Sequence, residues 1–65
     1  MPEKRIIRIS ETLKKTGLSR SALYDLRRRD SFPKPVLLGA RSIGFLADEV
    51  ESWIDARVSD RDFAA

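Results

Sequence analysis

The sequence of 65 residues contains no cysteine and no histidine. Without cysteine it can form no disulfide and no thiolate metal site, and without histidine it lacks the commonest zinc ligand and the commonest general base. The Asp, Glu, Ser and Lys residues that are present show no arrangement that pairs a base with a nucleophile. We therefore expect a protein that is not an enzyme and that holds neither a metal nor a cofactor.

Long apolar runs are also absent. No stretch approaches the roughly 20 apolar residues that cross a bilayer, and the first residues are not followed by the apolar segment of a signal peptide. A chain of this length forms one small domain, which buries only roughly 60% of its unfolded surface. We expect a cytoplasmic protein without membrane contact.

Charges of opposite sign occupy different parts of the chain. Residues 1–45 hold 11 Lys and Arg against 4 Asp and Glu, whereas residues 46–65 hold 2 against 6. The small net charge of +3 therefore hides a basic segment followed by an acidic one. This segregation predicts one surface for a polyanion and another that faces water or a basic neighbour.

The segment of residues 16–29 is typical of a helix-turn-helix. Gly17 can adopt the left-handed conformation that ends a helix, and the side-chain oxygen of Ser19 can cap the next one. The spacing predicts a first helix over 11–16 and a second over 20–29, joined by a tight turn at these two residues.

Local signals also place the first helix. Residues 5–9 are rich in β-branched side chains and predict either a short strand or an extended lead-in. Ser10 is the expected N-cap, and Leu13 is the expected main buried residue of the helix. Leu18 and Leu23 have the spacing of a hydrophobic staple, which would dock the second helix onto the first.

The second helix separates an apolar stripe from a cationic one. Ala22, Leu23 and Leu26 share one face. The opposite face carries Arg20, Ser21, Tyr24 and Arg28, with Arg27 at its flank. Two plainer interpretations stay open: Arg27 to Arg29 could form a solvated helix end that favours the negative pole of the dipole, and Tyr24 could pack on the edge of the core.

Two prolines end the helical region, and a hairpin is predicted after them. Pro33 and Pro35 cannot continue a helix, because each lacks an N–H and biases its predecessor toward extended geometry. Strands over 36–38 and 43–45 then flank a loop of four residues that carries Arg41. Leu37 is expected to point away from the core.

A third helix is predicted over 49–58. Asp48, followed three residues later by Glu51, resembles a capping box. The helix has one apolar face, with Val50, Trp53, Ile54 and Val58 at helical spacing. We expect Trp53 to be a core residue and not a stacking platform. Residues 59–65 are expected to form a flexible tail.

These elements describe a mainly α fold with a small β-hairpin: a compact winged helix-turn-helix of three helices and a two-stranded wing, with or without a short N-terminal strand, over residues 1–58. Four blocks of the chain, in order, resemble the AlpA family of small prophage-type transcriptional regulators, which are related to excisionases and to the DNA-binding head of MerR proteins. The blocks are Arg-Ile-Ser-Glu-Thr-Leu and its continuation over 8–24, Phe-Pro-Lys-Pro-Val at 32–36, Leu-Gly-Ala-Arg at 38–41 and Asp-Glu-Val-Glu-Ser-Trp-Ile at 48–54.

The resemblance implies sequence-specific binding of duplex DNA, with helix two in the major groove and the hairpin as a wing on the adjacent backbone or minor groove. The side-chain chemistry agrees with this role. Base contacts are expected from Ser21, Tyr24 and Arg28, and phosphate contacts from Arg20 and Arg27. The wing and its base would contribute Lys34, Arg41 and Ser42, although Arg41 could also be an ordinary exposed turn residue.

The chain departs from the family pattern at two positions of helix two. Ala22 occupies a place that often holds threonine in the family, and Asp25 a place that is often polar or basic. An aspartate facing the groove would repel phosphate, so we expect Asp25 to lie at the side of the helix and either to face solvent or to pair with Arg29.

Three functions fit these expectations. The first is a transcriptional regulator of a prophage or mobile element that acts as a monomer, or side by side on repeated sites, with an integrase or RNA polymerase as a further partner. The second is an excisionase-like factor that bends DNA for an integrase. The third is an antirepressor-like module whose basic face docks an acidic protein.

Overall fold

Three helices and a small sheet make up residues 4–64, the part of the chain that the computed structural model describes, with side chains described over 4–61. The elements in chain order are β1 (Ile6–Arg8), α1 (Ile9–Thr16), α2 (Arg20–Arg28), β2 (Val36–Leu37), β3 (Ile43–Leu46) and α3 (Ala47–Ala64). The predicted winged helix-turn-helix is confirmed. No helix within these residues has the length and hydropathy needed to cross a membrane.

The sheet is antiparallel and has the strand order β1-β3-β2. The predicted hairpin is present, with Leu37 opposite Ile43, and Leu37 points into solvent with 78% of its surface exposed. The N-terminal segment is a strand and not merely a lead-in, since it pairs along the other edge of β3 with Ile7 opposite Phe45. Strand alternation buries Ile7 and exposes the residues on either side of it.

The core forms where the sheet meets the helices. Its buried apolar side chains are Ile7, Leu23, Phe32, Phe45, Ala47 and Val50. The Phe32 and Phe45 rings meet edge to face with centroids 5.3 Å apart, and the Trp53 ring lies 4.9 Å from Phe32. The Trp53 indole N–H donates to the Ser31 carbonyl at 2.8 Å, so this tryptophan joins α3 to the segment between α2 and β2.

Two predictions for α1 are wrong. The helix starts at Ile9, directly after β1, and Ser10 therefore lies inside it, while the N-cap position falls on Arg8, which makes no side-chain cap. The fully buried residue is Thr12, and Leu13 is only partly buried. Burial of Thr12 is tolerated because its hydroxyl donates to the Arg8 carbonyl at 2.9 Å.

The predicted boundaries of α3 also differ from the structure. The helix follows β3 without a linker, so Asp48 lies in its first turn, and the predicted capping box is not formed. The packed face consists of Val50, Trp53 and Ile54, whereas Val58 is exposed.

The helix α3 continues to Ala64, past the predicted end at residue 58. Residues 59–64, placed by the sequence in a flexible tail over 59–65, are therefore helical, and Ala65 lies outside the described residues. The division of the chain into a domain over 1–58 and a tail stays a prediction.

We expect Gly44→Ala to lower the free energy of unfolding by about 1–3 kcal/mol, because β1 and β2 flank Gly44 on both sides. A Cβ atom there would lie 2.5 Å from Ile6 Cγ2 and 3.0 Å from the Ile7 carbonyl oxygen. Gly39→Ala is the matched control, since nothing lies within 4 Å of a Cβ at that position. Urea denaturation followed by Trp53 fluorescence measures both, and equal stability of the two variants would contradict the tight packing around Gly44.

Candidate nucleic-acid interface

The turn between α1 and α2 is held at both ends. Gly17 is left-handed, with φ 74°, and its N–H donates to the Leu13 carbonyl at 2.8 Å, which ends α1. Ser19 is extended, and its hydroxyl oxygen accepts from the Ala22 N–H at 3.1 Å, which caps α2. Leu18 is partly buried against the core, and Leu23 is fully buried. The direction of α2 relative to α1 is therefore set by local hydrogen bonds and by packing.

The helix α2 buries one face and exposes the other. Leu23 is inaccessible and Leu26 packs against the core, whereas Arg20, Ser21, Tyr24 and Arg28 on the opposite side are exposed. Tyr24 is 39% exposed, and the Arg27 guanidinium lies 5.7 Å from the centre of its ring. The tyrosine is therefore partly exposed at the surface, with a cation over its ring.

Asp25 pairs with two arginines at the end of α2. Its carboxylate oxygens lie 3.3 Å from Arg28 and 3.1 Å from Arg29, and both arginine side chains are more than 70% exposed. Exposed pairs of this kind contribute little stability, so a phosphate or a base edge can displace the carboxylate at small cost. Arg20 and Arg27 form no ion pair within the described part of the chain.

All the predicted contact residues except Ser21 line one of two clefts at opposite ends of α2. Tyr24, Arg27, Arg28 and Lys34 border a cleft of about 450 Å³ whose remaining walls are Asp30, Phe32 and two prolines. Arg20, Arg41 and Ser42 border a second cleft of about 270 Å³ between the start of α2 and the hairpin loop. The structure thus places the end of helix two beside the base of the hairpin in one cleft, and the start of helix two beside the hairpin loop in the other.

The second cleft includes a basic residue that the sequence interpretation missed. Arg8, at the end of β1, lines it together with Arg20 and Arg41. In the sequence Arg8 belongs to a short β-branched segment of uncertain state, so nothing local ties it to the helix-turn-helix. A signal was available in the alternation of the segment, which exposes Arg8 on a strand whose neighbour Ile7 is buried.

The acidic residues border a different groove. Asp30, Asp48 and Glu49 surround an apolar floor that includes Phe32 and Trp53, and none of the predicted contact residues lines it. A further acid, Glu51, is paired with Lys15 of α1. Asp30, Phe32 and Pro33 also line the cleft bordered by Tyr24 and Arg28, so the two clefts adjoin, and the charge segregation of the sequence is only partly reproduced on the surface. Among the described residues, no group of His, Cys, Asp or Glu could hold a metal ion.

Comparison with known proteins matches residues 5–58 to the family model described as prophage CP4-57 regulatory protein (AlpA). An uncharacterized protein, ORF88, of Enterobacteria phage P4 is 37% identical over 59 residues, which cover 91% of this chain and 67% of the relative. The DNA-binding transcriptional activator AlpA of Escherichia coli strain K12 is 34% identical over 59 residues, which cover 82% of this chain and 84% of the relative.

We expect Ser19→Ala to lower the free energy of unfolding by about 1 kcal/mol, because the cap to the Ala22 N–H is lost. Ser21→Ala, two residues later on the exposed face, is the matched control and should leave stability within about 0.5 kcal/mol. Urea denaturation of the two variants measures the difference. If Ser19→Ala is as stable as Ser21→Ala, the hydroxyl does not hold the start of α2.

Proposed function

Because the chain belongs to the AlpA family of prophage regulatory proteins and is a DNA-binding regulator, we propose that it recognises a specific duplex site with α2 in the major groove and the β2–β3 hairpin as a wing. The observation that carries this proposal is the division of α2 into a packed apolar face and an exposed face of cations and hydroxyls. A helix of this kind, capped and docked on its inner side, can enter a groove without unfolding the domain.

Base readout is assigned to Ser21, Tyr24 and Arg28. These residues are three and four positions apart, so they share one side of the helix over two turns. An arginine can donate two hydrogen bonds to guanine O6 and N7, while hydroxyls suit a base edge or a phosphate. Arg20 and Arg27, at the start and flank of the same face, are assigned to phosphates on either side of the groove.

The wing supplies contacts outside the major groove. Arg41 and Ser42 lie at the loop of the hairpin, and the Leu38 N–H donates to the Ser42 carbonyl at 2.8 Å, which closes that loop. Lys34 stands at the base of the hairpin, beside the C-terminal end of α2. An arginine at a closed loop can enter a narrow minor groove, where the negative potential is strongest.

The proposed state is a monomer that assembles side by side on repeated sites. A single module of this size buries roughly 600–1,000 Å² on DNA, at the low end for specific complexes. The chain has no long heptad segment for a coiled-coil dimer. Higher affinity would therefore come from adjacent copies, and a stable dimer of the free protein at micromolar concentration in sedimentation would contradict this arrangement.

The regulator and the DNA-bending factor would bind DNA with the same face. They differ in what binding achieves, which is control of transcription in one case and bending of the DNA for an integrase in the other. A bending assay on the bound site bears on this choice, because the DNA-bending factor requires a strongly bent complex, and a nearly straight one would exclude it. An integrase or RNA polymerase is a proposed partner in either case. The antirepressor-like function requires little duplex affinity, so tight and salt-sensitive binding to a defined site would exclude it.

Selection of bound fragments from random duplex DNA at two salt concentrations tests the proposed function. The expected result is one enriched sequence at both concentrations, with affinity falling steeply as salt rises. Enrichment of no sequence at either concentration would overturn the proposal.

We expect Arg28→Ala to weaken binding to the selected site by roughly 1–3 kcal/mol and to relax the preference at one base pair, because the bidentate contact is lost. Arg61→Ala removes the same charge from an exposed position on α3 and is the control. Competition binding against single-base variants of the site gives both values. A uniform loss across all sites would instead assign Arg28 to a phosphate.

We expect Asp25→Asn to tighten binding at low salt, because it removes a negative charge next to the groove and releases Arg28 and Arg29. Since exposed charges are screened, the gain should shrink as the ionic strength rises. Titration at several salt concentrations measures it. Weaker binding at low salt would mean that the carboxylate holds an arginine in its binding position.

A further inference from the structure

Three arginines from distant parts of the sequence converge on one cleft. Arg8 ends β1, Arg20 begins α2 and Arg41 lies in the hairpin loop, and all three line the cleft of about 270 Å³. Its remaining lining residues are Ile9, Ser10, Ser42 and Ile43, so no acidic side chain is present. Like charges placed together without an anion repel one another, and such a cluster favours an anionic ligand.

None of the three guanidinium groups forms a hydrogen bond or an ion pair with another described residue of the protein. Neighbouring Arg5 is instead paired with Glu11 at 2.8 Å, and Arg28 and Arg29 are paired with Asp25. The three arginines that line the cleft are therefore available to a ligand, whereas Arg5, Arg28 and Arg29 are each paired with a carboxylate.

The backbone around Arg8 is ordered by contacts that do not need its side chain. Arg8 is opposite Gly44 in the sheet, and its carbonyl oxygen accepts from the buried Thr12 hydroxyl at 2.9 Å. The helix α1 begins directly after Arg8 and has no side-chain cap. Its first residues, Ile9 and Ser10, line the cleft, so the free N–H groups of its first turn add positive potential there.

We propose that Arg8, Arg20 and Arg41 together hold one backbone phosphate of the bound DNA. The site rests on the proposed function and adds to it a residue and a geometric role. A single phosphate held by β1, α2 and the hairpin loop would tie the helix in the major groove to the wing beside it. Arginine suits this role because its planar group donates several hydrogen bonds to phosphate oxygens.

The test combines Arg8→Gln with DNA that carries a single uncharged methylphosphonate linkage, moved one position at a time along the selected site. In the wild type, neutralising the held phosphate should weaken binding several-fold. In Arg8→Gln the same linkage should cost less than in the wild type, because one of the three arginines that hold this phosphate is already gone. The slope of log affinity against log salt should also become shallower in this variant, by at most about one unit because Arg20 and Arg41 remain, with the base preference unchanged.

Arg5→Gln is the matched control, because it removes an arginine from the same end of the chain that is paired with Glu11 and does not line the cleft. It should keep the wild-type salt slope and the wild-type response to every linkage. Arg8→Lys retains the charge and should keep the slope while losing part of the affinity. Inorganic phosphate can be added to the DNA-binding reaction at constant ionic strength. If the cleft also holds the free ion, phosphate will compete with DNA and weaken binding of the wild type. If the site forms only with DNA, binding will be unchanged.

Repeating the scan with Arg41→Gln decides whether one phosphate is shared. The proposal expects Arg8 and Arg41 to lose sensitivity to the same linkage. If they point to different linkages, or if Arg8→Gln keeps the wild-type slope and scan, the shared site is overturned while the proposed function stands. If the wild type enriches no sequence at all, the proposed function fails first.

Discussion

The antiparallel pairing of β1 with β3 is the constraint on which the rest of the structure depends. It places Ile7 opposite Phe45 in the core, and the Ala47 N–H donates to the Arg5 carbonyl at 2.8 Å, just beyond the paired residues. Two of the three helices grow directly from these strands, α1 from β1 and α3 from β3. Only α2 is reached through a turn, and that turn has its own cap at each end.

This arrangement gives α2 a supported inner face and a free outer face. Leu23 is fully buried beneath the helix, and the Ser19 cap fixes the start of the helix, so neither of these two supports involves the cations on the outer face. Asp25 is the exception, since it pairs with Arg28 and Arg29 in the free protein. Because those ion pairs are exposed, they lower the positive charge of the outer face but do not hold the two arginine side chains firmly in place.

The helix-turn-helix could be predicted from the sequence because it depends on local hydrogen bonds. The features that depend on strand pairing between distant residues could not be predicted in the same way. Gly17 and Ser19 act on atoms within four residues, so their roles follow from the sequence alone. The strand alternation of residues 6–8 predicts that Arg8 is exposed, but its position beside α2 and the hairpin depends on pairing with Gly44 of β3, more than thirty residues away. The predicted capping box at Asp48 failed for the same reason, because the strand continues directly into the helix and leaves no separate cap residue.

The missing linkers decide where the chain can change length. One residue inserted between Arg8 and Ile9, or between Leu46 and Ala47, would rotate the following helix by about 100° and turn its packed face toward solvent. The hairpin loop carries no such phase relation, whereas the segment between α2 and β2 is held by Phe32 in the core and by the Ser31 carbonyl, which accepts from Trp53. Variation in length should therefore collect in the hairpin loop, and a fused domain or probe would be accommodated there and rejected at the strand-to-helix junctions.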